Sequence, residues 1–320
     1  MSGRSNHRVF GPVFSRRLGR SLGVDLVPFK TCTYDCIYCQ LGRTTAKTLA
    51  REEYVPVAEG LAELDRACSQ EQFDYVTLSG SGEPTLHARL EDVVAGIKDR
   101  TSVPVAVLTN GSLLWDPQVR HGLRKADVVI PSLDAGSEAL FRHVNRPHGE
   151  LSLNRVMDGL LAFRDEFAGA IWLEVFLLGG VTGIEAEVRQ IAELAGRLGP
   201  DRIHLNTVSR PPAEDYAMPV PPERMQELAA IFGGRAEVVS ERPAGQTPDA
   251  QADHGDADVS AILRRRPCTL EDLSTALAIP PAQVAKCLDH LASQGVAVAT
   301  KWVGSRRFFS ITGFQEDRPQ

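Results

Sequence analysis

Apolar residues between positions 21 and 235 come in short runs, separated by longer stretches where they recur every three or four positions. The runs "LGVDLV" (22–27), "FDYVTLSG" (73–80), "VPVAVLTN" (103–110), "ADVVIPSLD" (126–134), "AIWLEVFLL" (170–178) and "DRIHLNTV" (201–208) predict β-strands. Several are nearly unbroken Val, Ile and Leu, as in strands covered on both faces. The stretches "VAEGLAELDRACS", "LEDVVAGIKDR", "LNRVMDGLLAFRDEF" and "IEAEVRQIAELAGRLG" carry the helical period instead. Alternating strands and helices predict an α/β fold with a parallel sheet. Six strands are fewer than the eight that close a TIM barrel, so the pattern fits either a partial barrel or a doubly wound sheet.

The pattern breaks at "SERPAGQTPDAQADHGDA" (240–257), which lacks large apolar residues and is rich in Pro, Gly and Asp. It reads as a flexible linker. Beyond it, "DVSAILRRR", "TLEDLSTALA" and "PPAQVAKCLDHLASQG" predict three short helices, the second capped by Thr269 and the third opened by Pro280 and Pro281. "VAVATKWVGSRRFFSITG" then predicts a hairpin. The expected organisation is a core domain at 1–239, a linker at 240–257, a winged-helix-like domain at 258–313 and a tail at 314–320.

Composition narrows the setting. No apolar run approaches the roughly 20 residues of a membrane span, and the first residues lack the apolar core of a secretory signal. A cytoplasmic, reducing location is expected, where a disulfide framework is out of place. The net charge of −6 is unevenly spread: residues 258–313 carry +3 and residues 1–257 carry −8. The basic bias of the tail domain fits solvated surface as well as a partner site.

Three of the six cysteines, Cys32, Cys36 and Cys39, stand in "TCTYDCIYCQ" with the spacing C-x3-C-x2-C. A structural zinc site wants four ligands, and no histidine falls in the stretch. A redox pair of Cys36 and Cys39 leaves Cys32 unused. Three soft thiolates on one short loop suit a [4Fe–4S] cluster with one iron left open. A three-thiol zinc knuckle completed from afar is the alternative. Cys68, Cys268 and Cys287 form no second set and read as small apolar or free surface residues.

The spacing, with aromatic Tyr38 before the last cysteine, resembles the signature of the radical S-adenosylmethionine superfamily. The longer stretch "GPVFSRRLGRSLGVDLVPFKTCTYDCIYCQLGRTT" is similar to its wyosine-synthetase-related Fe–S oxidoreductases, and the likeness spans about residues 8–235. The resemblance implies a partial (β/α)6 TIM-like barrel. It also implies S-adenosyl-L-methionine bound through its amino and carboxylate groups to the open iron, and an external flavodoxin- or ferredoxin-like electron donor. Reductive cleavage of that cofactor would give a 5′-deoxyadenosyl radical for hydrogen abstraction.

Other strand ends should then meet a zwitterion, a ribose and an adenine. "LSGSGEPTL" takes the superfamily's GGE position with Ser81 in place of the first glycine; Gly80 and Gly82 would admit a close ligand, and Glu83 would face an ammonium group. A plain turn is the bland reading of that segment. Asn110 could line the pocket or merely begin a turn. Ser132 and Asp134 flank Leu133 and so share one side of their strand, where the resemblance places contacts to the ribose or carboxylate. Tyr38 is a candidate contact beside the adenosyl group. Glu174, inside an apolar strand, needs a partner or a cavity; Arg146 and Arg210 are candidate partners, and Asn206 and Arg210 are further pocket candidates.

Wyosine chemistry would add cysteines before Cys32 and a lysine for pyruvate; no cysteine precedes Cys32, and Lys30 is the only lysine there. The substrate therefore stays open among tRNA, a peptide and a small molecule. Arg16, Arg17 and Arg20 could meet RNA phosphates or be solvated surface. In the tail, Lys301, Trp302, Arg306 and Arg307 suit stacking and phosphate contact, or docking of the hairpin on protein. A rival reading is a cluster-bearing redox sensor whose winged helix binds DNA without turnover.

Overall fold

The computed structural model describes residues 8–69, 72–239, 255–277 and 279–311, so most of the expected linker and the expected tail lie outside it. The chain divides into two compact units, one of residues 1–208 with 213–241, the other of 209–212 with 242–320.

In the first unit, β1 (Val9–Ser15) pairs antiparallel with β2 (Gly19–Val24). The minor pair β3 (Thr31–Cys32) and β4 (Ala46–Lys47) closes the cysteine loop. The main sheet continues through β5 (Tyr75–Leu78), β6 (Val105–Thr109), β7 (Val128–Pro131), β8 (Ala170–Phe176), β9 (Arg202–Asn206) and β10 (Ala236–Val238). Its order is β1-β2-β5-β6-β7-β8-β9-β10, every pairing from β2 onward parallel. Helices α1 (Val57–Cys68), α2 (Leu90–Lys98), α3 (Pro117–Leu123), α4 (Glu138–Val144), α5 (Leu153–Glu166), α6 (Glu185–Leu198) and α7 (Pro222–Ala229) fill the connections. This is a mostly parallel α/β sheet of the partial-barrel kind.

All six predicted strands are present; five are a few residues shorter than their apolar runs, and the first, β2, begins three residues before its run and ends three before the run does. Two more strands of the main sheet, β1 and β10, and the minor pair β3 and β4 lie outside those runs. The Gly-Pro step inside β1 hides its alternation, and β10 has only three residues, one of them Glu237.

Alternation sorts the side chains of β8 between two cores. Ile171, Leu173 and Val175 join the large core under the helices, whereas Trp172 joins Leu18, Ala106, Val128 and Ile130 on the opposite, concave face. Residues in step with Trp172, namely Glu174 and Phe176, therefore point to the concave side towards the strands' C-terminal ends.

The second unit comprises α8 (Asp256–Arg265), α9 (Leu270–Leu277), α10 (Pro281–Ser293) and the hairpin of β11 (Val298–Val303) and β12 (Arg306–Ile311). Thr269 caps α9 reciprocally: its hydroxyl accepts from Asp272 N at 3.1 Å while its own N–H donates to the Asp272 carboxylate at 3.2 Å. Cys268 and Cys287 are buried in this unit's core with Val259, Leu273 and Val284. Two expected boundaries move. Helix α8 begins inside the expected linker, where Asp256 and Asp258 suit a first turn. Arg210 lies in the second unit, 3.7 Å from Asp272.

Candidate active site at the strand ends

The cysteine loop starts where β2 ends and is fastened to the loop after β5. Lys30 N–H donates to Ser81 O at 2.7 Å, and Glu83 N–H donates to Thr31 O at 3.1 Å. Asp25 accepts from Ser81 N at 3.2 Å and from the Ser81 hydroxyl. Ser81, the departure from the superfamily pattern, thus has a partner that a glycine there would lack.

The two glycines serve the same fastening. A Cβ on Gly82 would lie 1.8 Å from Thr31 O, and one on Gly80, whose φ is +144°, would lie 2.6 Å from the Asp25 carboxylate carbon. On the side a Cβ would occupy, what approaches them is the chain itself.

Further on, Asp35 N–H donates to Asn145 O at 3.0 Å and Ile37 N–H to Val144 O at 2.9 Å, tying the loop to the end of α4. The turn from Cys36 to Gly42 is closed by Cys39 N–H to Cys36 O at 3.1 Å and Gly42 N–H to Cys39 O at 3.0 Å. Arg43 and Arg146 both reach Glu214 Oε1, at 2.8 and 2.6 Å.

Cys32, Cys36 and Cys39 are free and partly buried. Burial, then the carboxylate of Glu83, pushes the Cys32 thiol up to about 12. Burial, then Asp134, Cys32 and Cys39, raises Cys36, and burial raises Cys39. The three thiols thus lie within electrostatic reach of one another, in a pocket that disfavours bare thiolates. Among the described residues no three His, Cys, Asp or Glu converge on one point as a single ion would require. A cubane spreads its thiolates over separate irons, so an all-sulfur set drawn from one loop fits a cluster better than zinc.

Around the thiols stands a ring of polar groups. Glu83, 2% exposed, accepts at Oε1 from Thr85 N (3.0 Å), the Thr85 hydroxyl (2.5 Å) and the Thr109 hydroxyl (2.6 Å), and at Oε2 from Asn110 N (2.7 Å). Burial raises its carboxyl despite these bonds. The expected free carboxylate is therefore largely committed to the fold, with Oε2 retaining one acceptor direction.

Asp134, 3% exposed, accepts from Tyr38 OH at 2.5 Å, Asn145 Nδ2 at 2.8 Å and Phe176 N at 3.0 Å. Burial raises its carboxyl as well. It therefore positions Tyr38, whose ring stacks on Phe176 at 4.0 Å and 9°. Ser132 stands beside it, half-buried, with no side-chain hydrogen bond among the described residues. Asn110 donates from Nδ2 to Thr33 Oγ1 at 2.7 Å and to Cys32 Sγ at 3.6 Å. Asn145 donates likewise to Cys36 Sγ at 3.6 Å. Asn145 was not anticipated, because "HVNRP" reads only as a helix stop before a proline.

Glu174 pairs with Arg17 rather than with Arg146 or Arg210. Burial, then neighbouring Arg16, lowers the Arg17 guanidinium to about 10, which corrects the view of Arg17 as a surface cation for RNA phosphates. Asn206 donates to Glu174 Oε1 at 3.3 Å, leaving its own Oδ1 buried without a partner among the described residues. His204 is 1% exposed and held at about 4, first by burial and then by Arg17.

This arrangement, cysteines on the loop after the first parallel strand and polar groups at successive strand ends, defines a class. The family model described as the radical SAM superfamily matches residues 26–195, and the chain belongs to that superfamily. It is 40% identical over 226 residues to a UPF0026 protein of Methanocaldococcus jannaschii, covering 70% of each chain. It is 36% identical over 295 residues to a Brachyspira hyodysenteriae protein named GTPase Obg, covering 90% of this chain but only 43% of that one. Among solved structures, a radical SAM methyltransferase from Sphaerobacter thermophilus superposes with a TM-score of 0.55 at 18% identity, covering 68% of this chain and 65% of that one. That likeness bears on the fold alone.

Membership makes the chain an enzyme. It implies a [4Fe–4S] cluster and S-adenosylmethionine, and an external reductant. No helix among the described residues is long and apolar enough to cross a membrane.

Proposed function

We propose that Cys32, Cys36 and Cys39 hold a [4Fe–4S] cluster whose fourth iron takes the amino and carboxylate groups of S-adenosylmethionine. When bound, the cluster supplies the electron that splits the sulfonium into methionine and a 5′-deoxyadenosyl radical, which removes a hydrogen atom from the substrate. The observation that carries this reading is the set of three free, partly buried cysteines on one loop, fastened at both ends beside the strands' C-terminal ends.

The chain's own residues supply position and shelter. Glu83 offers its remaining Oε2 direction to an ammonium group, and the backbones of Ser81 and Glu83 hold the cysteine loop in reach. Ser132 offers an uncommitted hydroxyl, and Asn110 stands beside it on the next strand. Tyr38, fixed by Asp134 and Phe176, presents a ring edge suited to an adenosyl group. The concave-face polar group of Arg17, Glu174, His204 and Asn206 is available to the substrate, since Asn206 Oδ1 lacks a partner among the described residues.

For the substrate, tRNA is the first to test, ahead of a peptide or small molecule. Exposed Arg43 and Lys47 flank the cysteine loop, and in the second unit Trp302, 62% exposed, neighbours Lys301. The reductant would be a flavodoxin- or ferredoxin-like protein of the cytoplasm.

The test is anaerobic reconstitution, then reduction with dithionite in the presence of S-adenosylmethionine. The expected product is 5′-deoxyadenosine; a fully clustered protein that makes none sinks the reading. Comparing the modified nucleosides of tRNA from cells with and without the gene decides the substrate, since unchanged profiles exclude tRNA.

A further inference from the structure

We infer that Asn110 and Asn145 raise the reduction potential of the cluster by donating hydrogen bonds to two of its three cysteine sulfurs. The inference rests on the cluster ligation proposed above. Each amide divides its two N–H groups in the same way. Asn110 Nδ2 gives one to Thr33 Oγ1 at 2.7 Å and the other to Cys32 Sγ at 3.6 Å. Asn145 Nδ2 gives one to Asp134 Oδ2 at 2.8 Å and the other to Cys36 Sγ at 3.6 Å. One oxygen anchor and one sulfur per amide, built twice from separate segments, is a repeated design.

The direction of each amide follows from its surroundings. Asn110 Oδ1 accepts from Ser112 N at 3.0 Å, so Nδ2 must face the sulfur. A flipped Asn145 would set its oxygen against the acceptor oxygens of Asp134. Asn145 is also fixed from behind, 2% exposed and with its carbonyl accepting from Asp35 N at 3.0 Å. Tyr38 OH also lies near Cys36, but its one proton goes to Asp134.

An electron added to the cluster increases the negative charge shared by its sulfurs. A fixed N–H aimed at sulfur stabilises the reduced form more than the oxidised one, and the buried setting magnifies the difference. Asn110 and Asn145 are therefore positioning residues acting through Cys32 and Cys36.

The test uses the full chain, reconstituted anaerobically, as wild type, Asn110→Ala, Asn145→Ala and the double variant. Iron content and absorbance establish that each holds its cluster, and an EPR-monitored titration gives the potential. Each single variant should move to a more negative potential, lowering the reduced fraction at fixed potential by up to about tenfold, which is ~59 mV for one electron. The double variant should move further. Thr33→Val, which removes an anchor but leaves the N–H on Cys32, should move less than Asn110→Ala; an equal shift would assign the effect to packing and overturn the inference. Unchanged potentials in fully loaded variants would overturn it while the cluster assignment stands, whereas wild type that holds no cluster would overturn both. Independently of any variant, protein carrying 15N only in asparagine should show 15N coupling to the reduced cluster by pulsed EPR, and absence of coupling refutes the hydrogen bonds.

Discussion

Arg17, in the turn between β1 and β2, forms an ion pair with Glu174 on β8 across the concave face of the sheet. Three strands, β5, β6 and β7, separate β2 from β8 in the sheet order, so the pair spans the curvature that the sheet leaves open. Both side chains are mostly buried, at 14% and 19% exposure. Removing one partner strands the other charge in a low-dielectric site. Glu174→Gln should therefore cost about 3–5 kcal/mol, whereas the double replacement Arg17→Met with Glu174→Gln should cost less than the sum of the single ones. Urea denaturation of the four proteins checks this; additive losses would mean that the two charges do not interact.

That pair shows where sequence reading stops. The apolar runs of β5 to β9 are legible because a parallel strand buried on both faces leaves few polar positions to blur it. The cysteine loop is legible because ligand spacing is local. Glu174 is visible as an anomaly, but its partner lies 157 residues earlier, in a turn whose arginines look like surface charge. Asn145 fails for the same reason: its hydrogen bond to Cys36 spans 109 residues. Gly82 is marked by its motif, yet only the fold shows that its missing Cβ makes room for Thr31 O.

Gly82→Ala follows from that contact. A Cβ 1.8 Å from a backbone carbonyl cannot be relieved by a rotamer change, so the loop after β5 or the cysteine loop must shift. The expected cost is on the order of 3 kcal/mol, with poorer cluster retention. Gly149→Ala, where nothing lies within 4 Å, is the control and should stay within about 0.5 kcal/mol. Thermal melts and iron content after gel filtration read both effects. A variant Gly82→Ala that melts and loads like wild type would refute the fastening role.

Cys36→Ala separates ligation from folding. The thiol is partly buried and packs against the edge of the first unit's core, whose fully buried members are other side chains. The apo variant should melt within roughly 1 kcal/mol of wild type, since it loses little apolar area. It should nevertheless hold less iron and form no 5′-deoxyadenosine. Full iron binding by this variant would remove Cys36 from the ligand set.

His204 predicts a pH dependence of stability in the first unit. Its folded value near 4 lies below the ordinary 6.5, because burial and then Arg17 oppose a second positive charge. Between these values the unfolded chain binds a proton at this position that the folded chain refuses. Stability contributed by the neutral ring is thus complete above about pH 6.5 and declines as pH falls towards 4. Replacing His204 with Gln removes the titration, so the fall in melting temperature from pH 6.5 to 4 should be shallower in His204→Gln than in wild type, whatever the two proteins' difference at pH 7. Glu237, whose Oε1 lies 2.8 Å from His204 Nε2, favours the protonated ring and limits the effect. Glu237→Gln should therefore steepen the wild-type decline, and parallel melting curves for all three proteins over this range would show that His204 does not titrate with unfolding.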